Sequence, residues 1–150
     1  MKIINRQFHR EYTELEKYEA GIVLSGAEVK SVREGRLMLD AAFVRIMGSE
    51  AYLINANIPI YQYARMVNYD PKRSRKLLLH KSELLRLKTK IIQGGGLTLA
   101  PVSCYNKGNL IKLEIALVKG KRDVEKRKLE KKRDIERQEK REMKEYYNRG

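Results

Sequence analysis

The most constraining stretch of the chain is Leu110–Val118, L-I-K-L-E-I-A-L-V, which alternates apolar and polar residues with a period of two. Ile111, Leu113, Ile115 and Leu117 fall on one side and Lys112 and Glu114 on the other, so the segment has to be a strand with one buried face. Upstream, Leu97–Ala100 and Val102–Tyr105 read as one strand interrupted by Pro101, and Asn106–Asn109 supplies a turn. The short turn makes the pair antiparallel.

The rest of the chain reads around this hairpin. Met1–Lys17 is polar and irregular, and Glu19–Leu24 is a short β-rich run. Ser25 and Glu28 stand three apart ahead of Val29 and Val32, the pattern of a capping box, and Gly35 ends a helix of about two turns. Ala42–Ile46 and Glu50–Ile54 flank Met47-Gly48-Ser49 as a second hairpin. Pro59 marks an edge strand or an exit from the sheet. Ser82 is positioned to cap a second helix, which carries Leu84, Leu87 and Ile91 at helical spacing and stops at Gly94-Gly95-Gly96. Five or six short strands with two or three short helices predict a mainly β fold. A small closed antiparallel barrel of the oligonucleotide-binding type fits best.

Between these elements lies Asn68–Lys81, N-Y-D-P-K-R-S-R-K-L-L-L-H-K. Asp70-Pro71 turns the chain, Lys72, Arg73, Arg75 and Lys76 follow within five positions, and Leu77-Leu78-Leu79 is expected to anchor the loop in the core. Composition leaves Leu78 a core residue. Cations fixed at one place on a folded surface suit a phosphate backbone. The 150-residue chain carries a net charge of +14, divided as +8 over residues 1–118 and +6 over residues 119–150. Body and tail are both basic, which favours a nucleic acid as partner.

No apolar run approaches the roughly 20 residues of a membrane span. Met1–Arg10 lacks the apolar core of a signal peptide, and the single Cys104 gives no disulfide or multi-cysteine metal site. The chain is expected in the cytoplasm, with no cofactor, no metal and no membrane partner. His9, His80, Glu11 and Glu19 could serve an RNA-processing enzyme, but no nucleophile elbow, zinc motif or phosphate loop accompanies them. Tyr61, Tyr63 and Tyr69 could stack on unpaired bases, although half-buried rim tyrosines are commoner. In residues 119–150 the aliphatic residues Val124, Leu129, Ile135 and Met143 form no single stripe. That segment is therefore expected to be disordered alone and helical on a partner, with support from pairs such as Glu136/Lys140.

Four stretches together resemble one family: Glu19–Gly35, Asp70–Leu84, Gly96–Val102 and Glu114–Arg127. In this order they are similar to small protein B, the SsrA-binding proteins that partner transfer-messenger RNA in bacterial ribosome rescue. The resemblance implies an oligonucleotide-binding-type barrel over residues 1–118 and a basic tail over 119–150. It implies binding to the transfer-RNA-like part of that RNA and delivery to stalled ribosomes, where the tail enters the empty messenger path near the decoding region. Glu19, Leu78 and Lys112 correspond to the family's RNA-binding positions, beside Arg73, Arg75 and Lys76 of the basic turn. Lys121, Arg122, Lys126 and Arg127 match its ribosome-acting segment. The chain departs from the family pattern at His9-Arg10, where the usual order is inverted, and at Val124, where an aromatic residue or histidine is usual. A monomer is expected, and a general binder of ribosomal or other structured RNA is the alternative function.

Overall fold

The computed structural model describes residues 1–65, 67–121 and 123–148, with side chains described over 129–146 in the last stretch. It divides into two compact units, Met1–Gly120 and Lys121–Gly150. The first is mainly β, with strands β1 (Lys2–Ile4), β2 (Tyr12–Ile22), β3 (Phe43–Met47), β4 (Glu50–Ile54), β5 (Arg75–Leu78), β6 (Leu97–Lys107) and β7 (Leu110–Gly120). Helices α1 (Phe8–Glu11), α2 (Gly26–Arg33) and α3 (Lys81–Gln93) lie between them. All strand pairs are antiparallel, in the order β1-β6-β3-β4-β5-β2-β7. A further β6–β7 pairing brings the order back on itself, so that β2 to β7 form a ring with β1 added along β6.

The hairpin that constrains the sequence is the longest ladder, from Leu97↔Lys119 to Lys107↔Leu110. It turns through Gly108 at φ 62°. Ile111, Leu113, Ile115 and Leu117 enter the main core, while Ala116 and Val118 on the opposite face bury against Phe8 and Ala100. Pro101 does not interrupt β6. The strand runs through it with Pro101 opposite Ile115, and the register shifts by a bulge at Val102, between Pro101 and Ser103. Buried Asn5 satisfies the bulge: its N–H donates to the Val102 carbonyl at 2.9 Å and its Nδ2 to the Pro101 carbonyl at 2.9 Å.

The expectation of an irregular N-terminus is corrected, because β1, α1 and the first half of β2 occupy it. Glu14, Lys17 and Glu19 face outward there, and the strand forms through its ladder with β7, from Tyr12↔Gly120 to Gly21↔Lys112. Helix α2 begins as the capping box requires. The Glu28 N–H donates to Ser25 Oγ at 3.2 Å and the Ser25 N–H to Glu28 Oε1 at 3.0 Å. Helix α3 starts two residues earlier than expected, with His80 as N-cap instead of Ser82 and the His80 N–H donating to Glu83 Oε1 at 3.3 Å. Leu87 is buried, with Leu84 and Ile91 packed on the core. Gly94, Gly95 and Gly96 all have positive φ (91°, 90° and 72°), a run that side chains would strain. Residues 58–61 form no strand.

The second unit contains helix α4, Asp123–Asn148. Its side chains from 130 to 146 are all exposed, including Ile135, Met143 and Tyr146, as the lack of an aliphatic stripe requires.

Candidate nucleic-acid interface

The basic turn begins as expected. The Arg73 N–H donates to the Asp70 carbonyl at 3.2 Å, and the Lys72 N–H to Asp70 Oδ1 at 3.0 Å. The chain then enters β5, and the strand's parity separates its cations. Arg75 and Leu77 point inward, Lys76 and Leu78 outward. Arg75 is fully buried, which corrects its expected place on the surface. Its Nε donates to Glu28 Oε2 at 2.8 Å, Nη1 to the Ala56 carbonyl at 2.8 Å and Nη2 to the Pro71 carbonyl at 3.0 Å. Arg73 also pairs with Glu28, from a half-exposed position. Burial pushes the Glu28 carboxyl up, but the Ser25 N–H and the two guanidiniums outweigh it and hold the carboxyl below the usual glutamate range. The guanidinium of Arg75 is thus consumed in fixing the turn to α2.

The same parity corrects the triple-leucine anchor. Leu77 is buried, but Leu78 is 54% exposed and lies on the outer face beside Lys76, whose Nζ is 2.8 Å from Glu50 Oε1. Leu78 pairs with Gly21 of β2, Gly21 with Lys112 of β7, Lys112 with Tyr105 of β6, and Tyr105 with Lys2 of β1. Directly opposed residues of antiparallel strands share a face. One row across five strands therefore presents Leu78, Lys112, Tyr105 and Lys2 outward, with a gap at Gly21. A Cβ at Gly21 would come within 3.2 Å of Leu78 Cβ, so the gap and the leucine are matched.

Glu19 lies two residues before Gly21 and so on the same face. It accepts the Tyr105 hydroxyl proton in a hydrogen bond and pairs with Lys107 Nζ at 3.0 Å. These two contacts, Tyr105 first, lower the Glu19 pKa. Burial and the Glu19 carboxylate push the Tyr105 phenol up to about 12. A carboxylate on a basic surface would repel phosphate by itself; here Glu19 positions a lysine and a phenol. Of the expected residues, the structure brings Glu19, Leu78 and Lys112 together and places Lys76 on the outer face of the neighbouring strand position. Arg75 is inside. Sequence reasoning missed Tyr105 and Lys107, which only the β6–β7 register brings to Glu19, and it missed Gly21. In the tail, Lys121 precedes α4, while the expected side chains of Arg122, Lys126 and Arg127, and the departure at Val124, lie outside the described residues.

Fold and surface define a small, basic, mainly antiparallel β protein with a cation-bearing outer face and a basic helical extension. The family model for SmpB protein matches residues 2–145, and the chain belongs to that family. SsrA-binding protein from Persephonella marina is 48% identical over 134 residues, covering 89% of this chain and 88% of that protein. SsrA-binding protein from Deinococcus radiodurans is 45% identical over 134 residues, covering 89% and 93%. Among solved structures, a chain described under "tmRNA-SmpB: a journey to the center of the bacterial ribosome" is 44% identical with a TM-score of 0.66, covering 81% of this chain and 85% of the other.

Proposed function

We propose that this protein is a non-catalytic adaptor that binds transfer-messenger RNA and brings it to stalled ribosomes for trans-translation. Membership of the SmpB family and the SsrA-binding names of its relatives support the reading. The observation that carries it is the shared outer face of Glu19, Leu78 and Lys112, three residues distant in sequence. The ring of strands acts as a closed barrel of the oligonucleotide-binding type. Lys112, Lys76 and the Lys107 held by Glu19 take phosphates of the transfer-RNA-like part. Leu78, whose side chain lies over the glycine surface of Gly21, packs on a ribose or base. Arg73 flanks this surface, while Arg75 supports the turn from inside.

The division of labour runs at about Gly120. Residues 1–118 hold the RNA, with Lys119 and Gly120 ordered as the end of β7; the tail beyond them has no aliphatic stripe to fix its helix in the free protein and docks against ribosomal RNA in the messenger path near the decoding region. Lys121, Arg122, Lys126 and Arg127 begin that segment. The work is cytoplasmic and needs no cofactor. Truncation after Gly120 tests the division. The expected result is near-normal affinity for transfer-messenger RNA with loss of tagging on stalled ribosomes in a reconstituted translation reaction. A truncated protein that still supports tagging would overturn it.

A further inference from the structure

Two tyrosines in the turn after Pro59 have no task in the reading above. The root of that turn is tied to the body by three successive carbonyls. Tyr69 donates its hydroxyl to the Ile58 carbonyl at 2.7 Å, and Ser31 donates to the Pro59 carbonyl at 2.8 Å. Arg36 Nη1 reaches the Ile60 carbonyl at 3.4 Å. The next four residues close on themselves, the Ala64 N–H donating to the Tyr61 carbonyl at 2.9 Å. This brings Tyr61 and Tyr63 together with centroids 5.5 Å apart and planes at 69°. Lys30 Nζ lies 5.4 Å from the Tyr61 centroid, a cation over its ring. Tyr61 is thus braced by a second ring and an ammonium, yet Tyr63 is left 76% exposed.

A single exposed aromatic side chain is ordinary. A braced one on an anchored turn is different, because its position costs little further entropy when something lands on it. Its surroundings select the ligand. Arg33 stands one helical turn beyond Lys30 on α2, and its Nη2 reaches the Asn109 carbonyl at the tip of the β6–β7 turn at 3.2 Å. Asn109 is two residues from Lys107. Arg33 thus ties the helix that carries Lys30 to the tip of the hairpin that carries Lys107. An exposed aromatic face flanked by cations suits a nucleotide whose base is unstacked.

We infer that Tyr63, braced by the Tyr61 ring that Lys30 in turn covers, is a stacking platform for one unpaired base of the RNA held on the outer face. The inference rests on the proposed RNA interface and adds to it what the RNA must present: a looped-out or terminal nucleotide. Stacking tolerates any base, so the platform contributes affinity and register more than sequence choice.

The chain has no tryptophan, so Tyr63→Trp places a single indole on the platform. Its emission is expected to be quenched when transfer-messenger RNA is added. Tyr63→Ala is expected to weaken binding about tenfold with an unchanged salt slope, because no cation is lost, and Tyr63→Phe to bind within about twofold of the parent. Because the side chain is exposed, melting curves of all three should overlay the parent's. An indole that does not respond, with full affinity in Tyr63→Ala while the parent protein binds, would overturn the platform and leave the interface standing. A parent protein that fails to bind this RNA would overturn both.

Discussion

Glu28→Gln is the perturbation that probes the architecture of the basic turn. The Glu28 side chain is 1% exposed, faces the fully buried Arg75 with Nη2 at 2.7 Å, and meets Arg73 on its other oxygen. Glutamine keeps the shape but removes the charge, and its amide group turns donors toward donors. Arg75 is then a buried cation without a counter-charge, left to neutral acceptors such as the Ala56 and Pro71 carbonyls and the Tyr69 hydroxyl. Breaking one side of a buried pair costs about 3–5 kcal/mol. For a unit of the size of Met1–Gly120, that lowers the melting midpoint by about 10–20 °C. Urea denaturation of the parent and of Glu28→Gln gives the difference, and Glu28→Gln with Arg75→Met is expected to recover part of it. The pH dependence has a definite sign. Glu28 is held below the usual glutamate range, so its contribution is present above that range and fades as the pH falls through the lowered value. The acid limb of the stability curve should therefore be flatter in Glu28→Gln. A loss below about 1 kcal/mol, with an unchanged acid limb, would refute the buried network.

Two further outcomes follow from the strand parity and the core. Leu78→Ala should leave stability within about 0.5 kcal/mol yet weaken RNA binding severalfold, whereas Leu77→Ala, at a buried position, should cost about 2–5 kcal/mol in denaturation; equal stability losses would break the assigned parity. Cys104 is 1% exposed and burial pushes its thiol up to about 12, so a thiol reagent at pH 8 should label it only in denaturant, and rapid native labelling would contradict the packing.

Much of the body is legible in the chain because its elements are locally marked. The alternation at Leu110–Val118, the Ser25/Glu28 capping box and the three glycines after α3 each state their structure within a few residues. What local patterns cannot carry is partnership. Strand β2 is rich in charged residues and exists through its ladder with β7, so no apolar period announces it. Arg75 reads as a surface cation until its partner Glu28 is seen 47 positions away. The parity of β5 was available in principle. Arg75, Leu77 and Leu79 are one set by period two and Lys76 and Leu78 the other; the unbroken run of leucines obscured it. The resemblance at Glu19, Leu78 and Lys112 picked out positions that register alone brings to one face. Their supports, Tyr105, Lys107 and Gly21, could be found only from the ladders.

The most direct test of the account is a salt titration of binding to transfer-messenger RNA with bulk transfer RNA as competitor, for the parent protein and Lys112→Ala. The account predicts that excess competitor fails to displace the parent complex near physiological salt, and that Lys112→Ala binds more weakly with a salt slope reduced by about one. Equal competition by the two RNAs, with affinity collapsing as salt rises and Lys112→Ala indistinguishable from the parent, would show a generic polycation in place of an interface built for one RNA.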